Sequence, residues 1–197
     1  MPRLFTGLEI PSEIALALSL KRGGMPGSRW IDPENYHITL SFIGDVESRT
    51  AREIAHYLGD VRGFEPFPIC LEHLDAFGGD RPRSIFARVQ PNDELTALKA
   101  GLDAALWRAG VKPEKRKYVP HVTLARLRGA SSLMVADYLE GNATVAPLRF
   151  NARRFVLFSS KPSMGGGPYG REQTYQLEDY ELDMDGAGED QAEWGWR

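Results

Sequence analysis

Cysteine is nearly absent from this sequence of 197 residues, in which Cys70 stands alone. One cysteine excludes an internal disulfide bond, a cysteine-based zinc site and an iron–sulfur cluster. The apolar neighbours Ile69 and Leu71 indicate a buried small residue rather than a nucleophile. A chain without disulfides is typical of a reducing compartment, and we therefore expect a cytoplasmic protein.

Long hydrophobic runs are missing as well. No stretch approaches the roughly 20 apolar residues that a membrane-spanning helix needs, and residues 1–10 lack the apolar core of a secretion signal. A sustained heptad repeat is not present either. We therefore expect a monomer with no membrane partner.

Negative charge is concentrated at one end of the chain. The net charge is −3, but residues 183–197 alone carry −4, which leaves +1 on residues 1–182. The last segment is also rich in glycine and poor in apolar residues, which is typical of disorder. We predict one domain over residues 1–182 and a mostly disordered acidic tail over 183–197.

Hydrophobic periodicity predicts a mixture of strands and helices. The strands come in pairs as well as alternating with helices, which favours an α+β fold with antiparallel pairing. The first predicted helix begins at Ser12 and buries Ile14, Leu18 and Leu20. The third predicted helix begins after the capping residue Asn92. The glycine-rich residues 165–170 predict a hairpin loop. Strands are predicted at residues 3–10, 36–43, 67–74, 84–89, 119–127, 153–159 and 173–182, and helices at 12–22, 48–58, 93–109 and 131–139.

One short pattern occurs twice. The residues His-Ile-Thr-Leu at 37–40 recur as His-Val-Thr-Leu at 121–124, which is 84 positions later. Each copy lies in a predicted strand that a predicted helix follows, so we expect a duplicated unit of about half the chain. Because strand side chains alternate between faces, each copy places its histidine and threonine together and its aliphatic residues in the core. Two such lobes would bring both pairs to a shared groove.

The repeated residue types suit phosphoryl chemistry. Histidine has an unperturbed pKa of about 6.5, so His37 and His121 can supply one base and one acid. The hydroxyls of Thr39 and Thr123 can donate hydrogen bonds to the non-bridging oxygens of a phosphate. Neither histidine has a paired carboxylate or a third histidine near it in sequence, so we expect no metal ion and no cofactor.

These motifs also carry a family resemblance, which covers residues 3 to about 182. The chain resembles the 2H phosphoesterases and, within them, the bacterial RNA 2',3'-cyclic phosphodiesterases, formerly called 2'-5' RNA ligases. The two long motifs together are specific, whereas the shorter ones are weak alone. The matching segments are Arg-Leu-Phe at 3–5, Leu-Glu-Ile-Pro at 8–11, Arg-Trp at 29–30, Pro-Glu-Asn-Tyr-His-Ile-Thr-Leu-Ser-Phe-Ile-Gly at 33–44, Pro-His-Val-Thr-Leu-Ala-Arg-Leu-Arg at 120–128 and Phe-Val-Leu-Phe-Ser-Ser at 155–160.

The resemblance implies a bilobal, pseudo-symmetric α+β fold, with antiparallel sheets lining a central groove and helices outside. It also implies metal-independent hydrolysis of an RNA-terminal 2',3'-cyclic phosphate to a 2'-phosphate. By motif position, His37 resembles the proton donor to the leaving 3'-oxygen and His121 the base that activates water, although the sequence alone leaves the two roles open. Thr39 and Thr123 would hold the phosphate.

Arg126 also matches a position that is linked to phosphate binding or activity in relatives. Regular strand alternation places it on the face opposite His121 and Thr123, so it reaches the groove only if the strand ends or bulges near Ala125. Two other positions depart from the family pattern. Ser41 and Val119 stand where many relatives have a basic residue, which predicts less positive charge near the site.

The surroundings of the second motif suggest an RNA substrate. Residues 112–128 carry an excess of five positive charges, including Lys115 and Lys117, and a basic stretch beside a phosphate site fits a polynucleotide. Trp30 and Tyr118 are candidates for stacking on a base, whereas alternation assigns Phe42 to the core.

Three alternatives stay open. The same site would also suit a small cyclic nucleotide or a cyclic phosphate of ADP-ribose, or the reverse reaction that joins 2'-5' RNA ends. A non-catalytic module that binds RNA ends is the alternative from a different class. Comparing turnover of a cyclic mononucleotide and an oligonucleotide, and binding with turnover, separates these functions.

Overall fold

The structure is a computed structural model and describes residues 1–114, 116–143, 146–160 and 167–177. These residues form nine strands, four α-helices and one 3-10 turn. In chain order they are β1 Arg3–Glu9, α1 Ser12–Ser19, β2 Ser28–Trp30, the 3-10 turn Pro33–Asn35, β3 His37–Asp45, α2 Ser48–Gly59, β4 Phe67–Phe77, β5 Ser84–Val89, α3 Asp93–Arg108, β6 His121–Leu127, α4 Ser132–Gly141, β7 Leu148–Ala152, β8 Arg154–Ser160 and β9 Tyr169–Gln176.

The strands form one antiparallel sheet in the order β7-β4-β5-β6-β3-β1-β8-β9, and β2 pairs with β6 outside this order. At its centre β3 and β6 share a single paired position, Ile38 with Val122. The sheet therefore consists of two four-stranded halves that meet at the two strands carrying the repeated motif.

The two halves are related by the duplication. The series β1, α1, β3 and α2 is repeated in order by β5, α3, β6 and α4. After each series the chain crosses over, because β4 pairs with β5 of the second half and β8 pairs with β1 of the first. This arrangement confirms the predicted duplicated α+β fold, and the exchanged strands join the two halves.

The helices pack on one face of the sheet, where α1, α2 and α3 build the main core and α4 packs on a second, smaller cluster. Four leucines of α3 form its buried stripe, and the Asn92 side chain caps this helix by accepting a hydrogen bond from the Leu95 backbone N–H at 2.7 Å. In α1, Ile14 and Leu18 are buried as predicted. Leu20 lies beyond the end of the helix and is 78% exposed, so that part of the prediction is wrong. The leucines of the stripe are Leu95, Leu98, Leu102 and Leu106.

The prediction differs from the structure mainly at the two edges of the sheet. Strand β7 was not predicted, and β9 begins at Tyr169 instead of residue 173, so Tyr169 and Gly170 belong to a strand and not to a loop. Both are edge strands. β9 is mostly polar, so its hydrophobic signal is weak, and the apolar alternation of β7 runs over only five residues. Pairing with β4 and β8 holds them in place. Residues 178–182 of the predicted strand and the acidic tail lie outside the described residues.

Candidate active site

The two histidine–threonine pairs lie on the face of the sheet opposite the helices, which we call the open face. Ile38 and Val122 are fully buried among the helices and face each other across β3 and β6. Their neighbours in each strand therefore point to the open face. The antiparallel register sets His37 beside Thr123 and His121 beside Thr39. These four side chains share one surface at the junction of the two halves.

Both imidazole rings are held in the same way. The Nδ1–H of His37 donates to the backbone carbonyl of Asn35 at 2.8 Å, and that of His121 donates to the carbonyl of Val119 at 2.7 Å. In each case the acceptor lies two residues before the histidine. Because a carbonyl can only accept, Nδ1 keeps its proton, and Nε2 is the ring nitrogen at which a proton can be gained or lost.

Each ring also rests against a stacked pair of phenylalanines. Phe5 and Phe158 lie 5.1 Å apart beside His37, and the Phe5 centroid is 4.9 Å from the imidazole. Phe77 and Phe86 lie 4.1 Å apart beside His121, at 4.9 and 5.2 Å from its ring. These pairs come from β1 with β8 and from β5 with β4, which correspond in the two halves.

These four phenylalanines are not among the site residues predicted from the sequence. Phe5 and Phe158 lay within the matching segments, but nothing in the local pattern pointed them at a histidine. Only the pairing of exchanged strands brings each couple together.

The apolar surroundings change the acidity of both histidines. Burial lowers the pKa of His37 from 6.5 to about 4, with smaller lowering effects from the charges of His121 and Arg126 and an opposing effect of the Asn35 hydrogen bond. Burial likewise lowers the pKa of His121, together with the charges of Arg126 and Arg88. Both rings are therefore neutral at pH 7 in the protein without a bound anion.

A β-bulge places Arg126 on the open face. Phe86 of β5 pairs with Thr123, but its neighbour Ile85 pairs with Ala125, so Leu124 is the extra residue. Ser84 then pairs with Arg126, and since Ser84 and Phe86 share a face of β5, Arg126 shares a face with Thr123. The charge of Arg126 lowers the pKa of both histidines, which agrees with this position.

The equivalent bulge in β3 exposes Phe42. Gly7 of β1 pairs with Thr39 and Thr6 pairs with Ser41, so Leu40 is the extra residue and Phe42 joins Thr39 on the open face. Phe42 is 46% exposed, and the prediction that it belongs to the core is wrong because the bulge reverses the alternation. Phe42 in one half corresponds to Arg126 in the other, 84 positions later.

The same bulge turns Ser41 away from the site. Ser41 is buried at 4% exposure, and its hydroxyl donates to Asp103 of α3 at 2.5 Å. A basic side chain at this position would lie on the helix side of the sheet. The expectation that Ser41 lowers the positive charge at the site is therefore wrong.

Two predicted stacking residues do not face the site. Trp30 pairs with the fully buried Ala125, packs 5.9 Å from the ring of Tyr138, and so lies on the helix side. Tyr118 is half-buried and donates its hydroxyl to the backbone carbonyl of Thr39 at 3.2 Å, while Lys99 lies over its ring. Tyr118 thus supports β3 at Thr39 instead of offering its ring to a base.

Of the two lysines predicted to contact RNA, the structure describes only Lys117. Lys117 is exposed, four residues before His121. Lys115 lies outside the described residues.

Among the residues that the structure describes, no group of three or more His, Cys, Asp or Glu is placed to hold a metal ion. None of the described helices is long and apolar enough to cross a membrane.

Comparison with known proteins agrees with the sequence resemblance. The model of a family described as the 2'-5' RNA ligase superfamily matches residues 27–162, which confirms that resemblance. An Aeropyrum pernix protein named RNA 2',3'-cyclic phosphodiesterase is 41% identical over 117 residues, which are 58% of this chain and 65% of that protein. A protein of the same name from Methanocaldococcus jannaschii is 29% identical over 174 residues, which are 85% of this chain and 96% of that protein.

A solved structure shares the fold. The crystal structure of E. coli LigT complexed with 3'-AMP aligns with a TM-score of 0.70, covering 91% of this chain and all of that chain at 24% identity. At this level of identity the likeness shows the architecture alone.

Proposed function

Because the chain belongs to the 2'-5' RNA ligase superfamily, we propose that it hydrolyses the 2',3'-cyclic phosphate at the end of an RNA strand to a 2'-phosphate. The names of the Aeropyrum and Methanocaldococcus relatives support this activity. The observation that carries the proposal is the matched pair of histidines, each with Nδ1 bound to a carbonyl and Nε2 left for proton transfer.

The reaction needs one base and one acid on opposite sides of the phosphorus. Nε2 of His121 takes a proton from water, whose oxygen forms a new bond to phosphorus. The bond from phosphorus to the 3'-oxygen breaks, and Nε2–H of His37 protonates that oxygen. The products are a free 3'-hydroxyl and a 2'-phosphate, so atoms and charge balance with the proton from water left on His121.

The phosphate itself supplies the condition for this proton transfer. Both pKa values lie below 6.5 in the free protein because the rings are desolvated. An anionic phosphate between the rings favours the charged imidazolium and raises the pKa of the histidine that acts as the acid. Substrate binding therefore charges the acid that the chemistry requires.

Thr39, Thr123 and Arg126 hold the non-bridging oxygens in this proposal. The two hydroxyls and the guanidinium lie on the same face as the histidines and stabilise negative charge that develops on the phosphate. Since these groups supply the positioning and the positive charge, we propose that the reaction needs no metal ion.

Phe42 offers a place for the terminal base. It is the exposed aromatic ring on the open face beyond Thr39, and bases stack on such rings in single-stranded RNA recognition. We place the enzyme in the cytoplasm as a monomer, which agrees with the unpaired, buried Cys70.

The test uses a short RNA that ends in a 2',3'-cyclic phosphate, with EDTA present. We expect wild-type turnover that leaves a 2'-phosphate, and loss of that turnover by a factor of at least about 100 in His37→Ala and in His121→Ala. His56→Ala is the matched control, because His56 is exposed on α2 and far from the motif in sequence.

The outcomes separate the alternatives. Full activity in either motif variant would contradict the two-histidine mechanism, and activity that EDTA abolishes would contradict metal independence. Tight binding of the cyclic-ended RNA by folded wild-type protein, with no turnover of it or of a cyclic mononucleotide, would favour the non-catalytic binding module.

A further inference from the structure

A cavity of about 770 Å³ opens beside His37, at the end of the first half of the sheet. It shares His37, Phe158 and Tyr169 with the site described above, and extends from there towards α1 and the junction of β7 with β8. We propose that this cavity binds the nucleotide that precedes the cyclic-phosphate nucleotide in the RNA strand. The inference rests on the proposed function, because it names how the substrate of that site continues.

Three arginines line the cavity. They are Arg153 between β7 and β8, Arg154 at the start of β8, and Arg171 in β9. Arg154 and Arg171 both contact the carboxylate of Glu9, at 2.6 and 2.7 Å. The Glu9 carboxylate balances only one of these two guanidiniums, and Glu34 is the other acidic residue of the lining.

Arg153 supplies the excess positive charge. Among the described residues it forms no ion pair, and its side chain is exposed at the cavity. With three arginines against Glu9 and Glu34, the lining carries a net charge of +1. A phosphate diester supplies the negative charge that balances it.

The arginine cluster is close to the catalytic histidine in the sheet. Glu9 and His37 are directly paired residues of β1 and β3 and share a face. When the terminal phosphate lies against His37, the next phosphate along the strand belongs one nucleotide away, which is the direction in which Arg154 and Arg171 lie. A mononucleotide that carries only a 2'-phosphate has no second phosphate for this cluster to bind.

Part of the cavity wall at α1 is apolar. It is formed by Pro11, Ala15 and Leu16 of the α1 region, and Leu16 is 64% exposed. A cavity of a few hundred Å³ with an apolar wall and a few polar groups is typical of a nucleotide-sized ligand. The base fits the apolar wall and the phosphate fits the arginines, so one nucleotide accounts for both.

The experiment compares affinity for a dinucleotide that ends in a 2'-phosphate with affinity for the corresponding mononucleotide 2'-phosphate. Binding by calorimetry is read whether or not chemistry occurs, so turnover of a cyclic mononucleotide tests the proposed function separately. The wild-type protein is expected to prefer the dinucleotide. In Arg153→Ala this preference falls about tenfold, the weight of one charge-assisted hydrogen bond. Arg153→Lys recovers part of it.

Salt dependence provides a readout that a structural defect would not change. Loss of one phosphate contact lowers the slope of log affinity against log salt by about 0.7 for single-stranded RNA. Arg49→Ala, on exposed α2, is the matched control and leaves both preference and slope at wild-type values. An unchanged dinucleotide preference and an unchanged salt slope in Arg153→Ala would overturn the proposal. A fall in the preference that occurs only in Lys117→Ala would also overturn it, because the RNA strand would then lie along the basic segment before β6.

Discussion

The environment of His37 predicts that the protein loses stability in mild acid. The rings of Phe5, Phe158 and Tyr169 surround the imidazole, and burial lowers its pKa to about 4 from 6.5. In the unfolded chain His37 regains the ordinary pKa. Between these two values the unfolded state binds one more proton than the folded state, so folding weakens as the pH falls.

The size of this effect follows from the two pKa values. One bound proton corresponds to about 1.4 kcal/mol of unfolding free energy per pH unit. Over the window from pH 6.5 to about 4, the loss reaches about 3 kcal/mol. This is an upper figure, because the ring keeps a partly exposed edge at the open face. A domain of this size has roughly 5–15 kcal/mol of stability in all, so the loss is measurable.

Urea unfolding at several pH values from about 7 down to about 4 measures the effect, in buffers free of phosphate because phosphate would bind the site. His37→Gln removes the titrating group, and we expect its unfolding free energy to depend on pH by about one proton less than that of the wild type. His121→Gln changes the dependence in the same direction, since its pKa is also lowered by burial. His56→Gln is the exposed control. Equal pH dependence in wild type and His37→Gln would refute the desolvation argument.

Three further predictions concern catalysis and packing. Because both histidine pKa values are lowered in the free protein, kcat/KM should be highest below pH 6.5. The parameter kcat reports the enzyme–substrate complex and should be highest at a higher pH. A monotonic rise of both parameters with pH would contradict the two-histidine mechanism. Phe42→Ala should lower kcat/KM about tenfold for a cyclic nucleotide but not for an abasic cyclic ribose phosphate, because only the former stacks; equal losses would exclude stacking. Gly7→Ala should lower the urea midpoint by an amount equivalent to about 1–3 kcal/mol, because its Cβ would lie 2.8 Å from the Ile38 carbonyl oxygen. Gly141→Ala is the control, because its Cβ would have no atom within 4 Å. Equal urea midpoints in the two variants would show that β1 shifts to accommodate the added Cβ without loss of stability, which would contradict the prediction.

Local pattern was sufficient for much of the molecule. The central strands and the helices were predicted because each buries one face, and that requirement appears as alternation or as a helical stripe in the sequence. The cap of α3 was also predictable from local sequence, because the Asn92 side chain itself accepts the hydrogen bond at the start of the helix. The repeated His-x-Thr pattern further identified the two strands that meet at the centre of the sheet.

Edge strands lay beyond this kind of inference. β9 is mostly polar, and the apolar alternation of β7 is only five residues long. Pairing with β8 and β4 holds these two segments as strands. A short or polar edge segment carries little of the apolar pattern from which a strand is predicted.

The amino-acid sequence by itself determined the groups that we propose as reactive: two histidines and two threonines, each pair on one face of its strand. Only the tertiary structure decided what surrounds them. The bulges at Leu40 and Leu124 arise from the register with neighbouring strands, and they turn Phe42 and Arg126 to the open face. Exchange of strands between the halves gives each histidine its stacked phenylalanines. The physical reason is that alternation is a property of one strand, whereas register and desolvation are properties of strands in contact.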